Sequence, residues 1–171
     1  EATSIDMEVS FSDHNDVMWM LEDLIINVYS RVAEECHEQL SVLELGLEIP
    51  KAPFPKISYS EAIDIASATS EEEISYGDDL GTAAERAIGE EMGEHYFIVD
   101  WPTAIKPYYA MPYEENPEIC KAFDLMHPRM ELSSGAQRIH QHDLLAEQIA
   151  AKGLNPDSFE FYLKPFRYGM P

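Results

Sequence analysis

The densest set of groups able to do chemistry lies in one run, Phe123-Asp-Leu-Met-His-Pro-Arg-Met-Glu-Leu-Ser-Ser-Gly-Ala-Gln-Arg138. Asp124 and Glu131 flank His127-Pro128, a pair suited to a turn. With the turn there and antiparallel strands on either side, Met126 faces Arg129, Leu125 faces Met130 and Asp124 faces Glu131. Side chains opposed in this way lie about 5 Å apart at Cβ, a separation at which two carboxylates repel each other. A cation between them removes the conflict. Two carboxylates and a hydroxyl are hard oxygen donors suited to Mg²⁺, with ATP phosphates able to complete the shell. Ser134 supplies the hydroxyl if Gly135 turns the backbone toward the same ion. Arg138 follows as a planar, permanently charged fork that suits bidentate capture of a carboxylate. Lys106 precedes Pro107, which biases it to an extended backbone and helps aim it. Each group also has a bland reading. These are a structural hairpin with an incidental acid pair, a helix showing 131, 134 and 138 on one face, and an ordinary surface lysine. Spacing by itself favours the incidental hairpin and the ordinary lysine, whereas Ser-Ser-Gly in the middle argues against the helix.

The elements that must hold these groups are legible along the chain. Met7–Phe11 alternates as a strand does. Ser12 and Asp13 then cap a long helix with an apolar face of Val17, Met18, Leu21, Leu24, Ile25, Val28 and Val32. Met18 and Trp19 are expected in its core contact. Lys51-Ala-Pro-Phe-Pro-Lys56 is a Pro-rich connector, too short to link domains. Ser58-Tyr-Ser-Glu61 has capping-box spacing and predicts a short helix through Ala66. Thr82-Ala-Ala-Glu85 has the same spacing and predicts a helix to about Met92. Ser70–Glu73 reads as a solvated acidic loop, and Asp78-Asp79, bracketed by Gly77 and Gly81, as a turn. From His95 the pattern changes to strands at 96–99, 107–113, 119–126 and 130–133, separated by turn residues. A helix from about Gln141 to Lys152 stops at Gly153, and another begins with Asn155 as cap and Pro156 in its first turn. Helices followed by strands with short links predict an α+β fold, an antiparallel β-sheet flanked by helices, in a single domain over 1–171.

Composition limits the partners. The chain has 171 residues, 45% of them apolar, enough for a core. Thirty-three carboxylates against 11 lysines and arginines give −22, a surface that repels phosphate backbones. Adaptation to a salty cytoplasm and an ordinary acidic surface both fit that balance. No apolar stretch of about 20 residues predicts a membrane span, and no cationic, apolar leader is visible. Cys36 and Cys120 are far apart and form no C-x-x-C, so they read as buried thiols in a reducing cytoplasm.

Three runs, taken together, resemble the archaeal and eukaryotic type of aspartyl-tRNA synthetase. They are Ala-Phe-Asp-Leu at 122–125, Glu-Leu-Ser-Ser-Gly-Ala-Gln-Arg at 131–138 and Phe-Tyr-Leu-Lys-Pro-Phe-Arg-Tyr-Gly-Met-Pro at 161–171. Tyr76-Gly-Asp-Asp-Leu-Gly-Thr and Trp101-Pro-Thr-Ala-Ile-Lys-Pro-Tyr-Tyr extend the likeness in family order over essentially the whole chain. The resemblance implies part of a class II catalytic core that joins L-aspartate to ATP as an adenylate and then passes aspartate to tRNA. It implies Mg²⁺ at Glu131 and Ser134 with Asp124 as a further acidic partner, ATP near Glu131, and aspartate held by Arg138, Lys106 and Ser134. It also implies a cytoplasmic, homodimeric parent. The anticodon-binding domain and the flanking ATP motifs are expected outside this stretch, which is expected to be inactive in isolation. Departures are Gly135-Ala136 where two glycines are usual, and Ile139 and Gln141 around His140. His140-Gln-His142 looks like a metal pair, but with no third ligand nearby it reads as a substrate-edge or structural feature. The competing readings are an asparaginyl-tRNA synthetase or related asparagine synthetase, and a non-catalytic paralogue acting as an acidic interaction module.

Overall fold

A computed structural model describes residues 3–69 and 74–170. The acidic loop expected at Ser70–Glu73 lies outside them. Among the described residues six α-helices, α1 (His14–Glu35), α2 (His37–Val42), α3 (Tyr59–Thr69), α4 (Thr82–Met92), α5 (His142–Ala151) and α6 (Glu160–Leu163), accompany four strands. The strands are β1 (Lys56–Ser58), β2 (Tyr96–Pro102), β3 (Ile119–His127) and β4 (Met130–Ala136), ordered β1-β2-β3-β4 in one sheet. The expected α+β fold is present, with one modification. β2, β3 and β4 are antiparallel, but β1 runs parallel to β2. Its three residues were hidden at the end of the Pro-rich connector. The long crossover through α3 and α4 is what permits a parallel neighbour.

Helices cover the sheet on both faces. On one, α3 and α4 pack Tyr59, Ala62, Ala66, Ala84 and Ile88 against Tyr96, Ile98, Ala122 and Met126. On the other, Met18 and Leu21 of α1 meet Phe97, Phe123 and Leu125. Burial from two sides explains the unbroken apolar run at 96–99, since a strand covered on both faces needs no polar alternation. α5 and α6 build a third cluster with Met111 and Ile139.

Local signals behave as their chemistry requires. Asp13 caps α1 and forms a reciprocal box with Asp16, and Ser58 does the same with Glu61. Gly93 ends α4 at φ +68°, a left-handed conformation that glycine adopts without strain. Asn155 accepts from the Asp157 N–H.

Other expectations fail for tertiary reasons. Residues 7–11 form no strand, because no neighbouring strand is there to pair with them. Residues 107–113 make only isolated bridges, Ala110 to Arg138 and Pro112 to Cys120. α1 outruns the sheet beneath it. A helix of 22 residues is about 33 Å long, so Val28 and Val32 in its second half are substantially exposed, and Leu24 at its midpoint lies at the edge of the buried face. Met18 is buried as expected, whereas Trp19 points outward at 61% exposure. Thr82 is the first residue of α4, with Gly81 as its cap, and no side chain caps that end. The predicted box there is absent.

Candidate functional site

The site is built on the face of the sheet that meets α4. Ile98, Asp124 and Ser134 form a cross-strand row, one residue from each of β2, β3 and β4. The β3–β4 hairpin does not have the register predicted for it. His127 pairs with Met130, so Pro128-Arg129 is the turn, and Met126, not Asp124, faces Glu131. A bulge then shifts the ladder, so that Leu125 faces Ser133 and Asp124 faces Ser134. An extra residue in one strand changes which side chains share a face. Glu131 and Ser134, three positions apart, would point to opposite faces of a regular strand. With the bulge between them, both reach the same cleft.

Two close approaches fix this geometry. A Cβ on Gly135 would run into the Phe123 ring opposite, and one on Gly89 of α4 would run into the Pro128 carbonyl at the hairpin tip. Gly135 therefore does not turn the chain back, as the sequence reading supposed. It lets β4 continue past an aromatic neighbour.

The cleft has a volume of about 100 Å³. That is below the roughly 300 Å³ at which small-molecule sites begin, so it accommodates an ion with its waters or one end of a larger ligand. Asp79 and Leu80 line it from the loop before α4, Glu85 from α4, Ile98 and Trp101 from β2, and Lys106 from the following loop. Asp124, Met126, Glu131 and Ser134 complete the wall. Four carboxylates thus surround one ammonium. Lys106 Nζ donates to both oxygens of Asp124, at 3.2 and 3.0 Å, and stands 3.6 Å from the centre of the Trp101 ring. Both members of the ion pair are largely buried, with side chains 19% and 7% exposed.

Electrostatics follow from this enclosure. Burial pushes the Asp124 carboxyl up to about 6; Lys106 pulls it down, and Glu131 and Asp79 add to the rise. Glu85 is raised by burial, then by Glu131 and Asp79. Carboxylates that disfavour one another's ionisation are poised to accept a cation. The donors are hard oxygens, a chemistry that suits Mg²⁺. Among the described residues no three His, Cys, Asp or Glu side chains converge to hold a metal. The predicted set of two carboxylates and a hydroxyl would leave the rest of a shell to water or ligand oxygens.

The structure brings Asp124, Glu131, Ser134 and Lys106 together and leaves Arg138 elsewhere. Arg138 lies beyond the end of β4, with its guanidinium 4.0 Å from the Tyr109 ring centre and bonded to Glu8 at 3.1 Å. His140 is exposed, and both ring nitrogens of His142 are engaged, by Asp143 and by Arg167. No metal pair forms between them. Cys120 is buried, its thiol pushed up to about 11 by desolvation, which keeps it protonated and unreactive. Asp79, Glu85 and Trp101 were missed. Asp78 is the turn residue expected, accepting from the Ser75 N–H, but Asp79, itself exposed, borders the cleft. Glu85 was assigned to a helix cap that does not form. The signal available for Asp79 and Trp101 was their place in the runs at 76–82 and 101–109 that carry the family resemblance.

Comparisons with known proteins agree with this architecture. A family model described as tRNA synthetases class II (D, K and N) matches residues 1–171. The chain is 71% identical over its whole length to an aspartate–tRNA(Asp/Asn) ligase of Methanoculleus marisnigri, and 61% identical to one of Archaeoglobus fulgidus. It spans 40% of the length of each. Among solved structures, asparaginyl-tRNA synthetase of Pyrococcus horikoshii complexed with asparaginyl-adenylate superposes with a TM-score of 0.84 at 32% identity, covering 93% of this chain and 38% of that one. Aspartyl-tRNA synthetase of Entamoeba histolytica gives 0.81 at 28% identity, covering 95% and 35%. No helix among the described residues is long and apolar enough to cross a membrane.

Proposed function

From the premise that the chain belongs to the class II tRNA synthetases of the D, K and N group, we propose that it is the central part of the catalytic domain of an aspartate–tRNA ligase. The protein activates L-aspartate with ATP as aspartyl-adenylate and transfers the aspartyl group to tRNA. The observation that carries this reading is the bulged hairpin, which folds Glu131 and Ser134 onto the face of Asp124 beside Lys106. Identities of 71% and 61% to relatives named aspartate–tRNA(Asp/Asn) ligase favour aspartate as the amino acid. A non-catalytic module would have no use for a convergent cluster of oxygen donors around a buried carboxylate.

Glu131 and Ser134 would hold Mg²⁺, with Asp124 flanking them. When bound, the ion supplies neutralisation of the ATP phosphate charge. The chain's own part is positioning. Glu131 and Ser134 fix where the nucleotide's phosphates sit, Lys106 adds a positive charge at the cleft, and Arg138 grips the substrate's side-chain carboxylate once Glu8 releases it. Acyl adenylation needs no enzyme nucleophile, only two reactants held in line with their charge compensated. Localisation in the cytoplasm, with free thiols, and a homodimeric parent complete the proposal.

The test is aspartate-dependent ATP–pyrophosphate exchange by the full-length gene product. Glu131→Gln is expected to lower kcat/KM by at least 100-fold, and Arg138→Leu to abolish use of aspartate. Unchanged kinetics in both variants would remove the proposed roles. Exchange driven by asparagine in place of aspartate would transfer the protein to the asparaginyl class.

A further inference from the structure

We infer that Lys106 is a resident counter-ion of the cleft, an ammonium that a divalent cation must displace from Asp124 and that Trp101 then retains beside the incoming anion. This rests on the proposal that the cleft takes a divalent ion, and it assigns Lys106 a switching part that substrate contact alone would not give.

Three observations carry it. Lys106 is the one cation among the residues lining the cleft, against Asp79, Glu85, Asp124 and Glu131. Its nitrogen bonds both carboxylate oxygens of Asp124, so the ammonium occupies the edge of that carboxylate which another cation would use. The third is the Trp101 ring. The same ammonium already lies 3.6 Å from its centre, a favourable contact that needs no carboxylate and can be kept when Asp124 is given up. An ammonium is a compact point charge on a flexible stem, and so it can swing away from Asp124 while staying over the ring, without rebuilding the backbone. Held on Asp124 it keeps the cleft from standing with four unbalanced carboxylates. Released, it adds positive charge where an anionic ligand arrives, so the cation and the anion would bind with positive coupling.

The experiment follows Mn²⁺ binding, read by the electron paramagnetic resonance of the free ion, in the full-length gene product and in Lys106→Met, Lys106→Arg and Glu131→Gln. Lys106→Met is expected to tighten Mn²⁺ binding about tenfold, because a like charge within a few ångströms is removed. Lys106→Arg should bind like the parent, and Glu131→Gln should weaken binding. Unchanged or weaker binding in Lys106→Met, with Glu131→Gln still weakening it, overturns the exchange and leaves the metal reading in place. Binding that Glu131→Gln does not alter overturns both. A second measurement needs no substitution of the lysine. The acetylation rate of Lys106, followed by mass spectrometry of its peptide, should rise severalfold on saturation with Mg²⁺, and a constant or falling rate overturns the inference.

Discussion

Asp124 and Leu125 are neighbours on β3, yet they point to opposite faces of the sheet and into opposite surroundings. Leu125 is wholly buried against α1 with Phe97 and Phe123. Asp124 is almost as enclosed, at 5% exposure, but its wall contains an ammonium, three other carboxylates and a hydroxyl. The α1 face also buries polar groups, and there a backbone N–H can serve as partner, although Nδ1 of His14 has none among the described residues. Glu22, for example, accepts the Phe54 N–H at 2.9 Å. On the α4 face Asp124 depends on one side chain delivered from a loop 18 residues earlier in the chain. A carboxylate closed by a backbone N–H, as Glu22 is, contributes stability. A face whose balance depends on one mobile cation can be reset by a ligand.

Substitutions on the two sides of β3 should separate these roles. The largest effect is expected from Leu125→Ala, which leaves a cavity on the α1 face and should cost about 3 kcal/mol in chemical denaturation. Its Mn²⁺ affinity should stay within about twofold of the parent. Asp124→Ala should cost about 2 kcal/mol by leaving the Lys106 ammonium without its partner in a half-closed site. Adding Lys106→Met should recover most of that loss, and additive losses in the cycle would contradict a coupled pair.

The smallest effect concerns pH. His95, at the α1 end of β2, contacts Tyr29, Phe54 and His127, and burial, then His127, lowers its pKa from the usual 6.5. His127 is lowered by burial, then by Arg129. Between the folded value and 6.5 the unfolded chain binds protons that the folded chain refuses. The stability these rings contribute is therefore complete above pH 6.5 and is lost as the pH falls below it. In the double variant His95→Phe/His127→Phe, the drop in melting temperature below pH 6.5 should be smaller than in the parent. An unchanged drop would place the acid sensitivity elsewhere.

The sequence by itself determined whatever is written within a few residues. The Asp13 and Ser58 caps, the stop at Gly153, the Asn155 start and the strands at 96–99 and 119–126 needed only local hydrogen bonds and period, which a short window contains. The chemical identity of the cleft was also local, since Asp124, Glu131 and Ser134 stand in one run. Tertiary structure decided how those groups face one another. The bulge in β4 depends on Phe123 lying over Gly135 and on the hairpin tip meeting α4 at Gly89. The contacts of Lys106 with Asp124 and of Arg138 with Glu8 join residues 18 and 130 positions apart. A one-residue change of register moves a side chain to the other face, and no local preference distinguishes the two outcomes. Only the packing of helix against hairpin does, because it leaves room for one register.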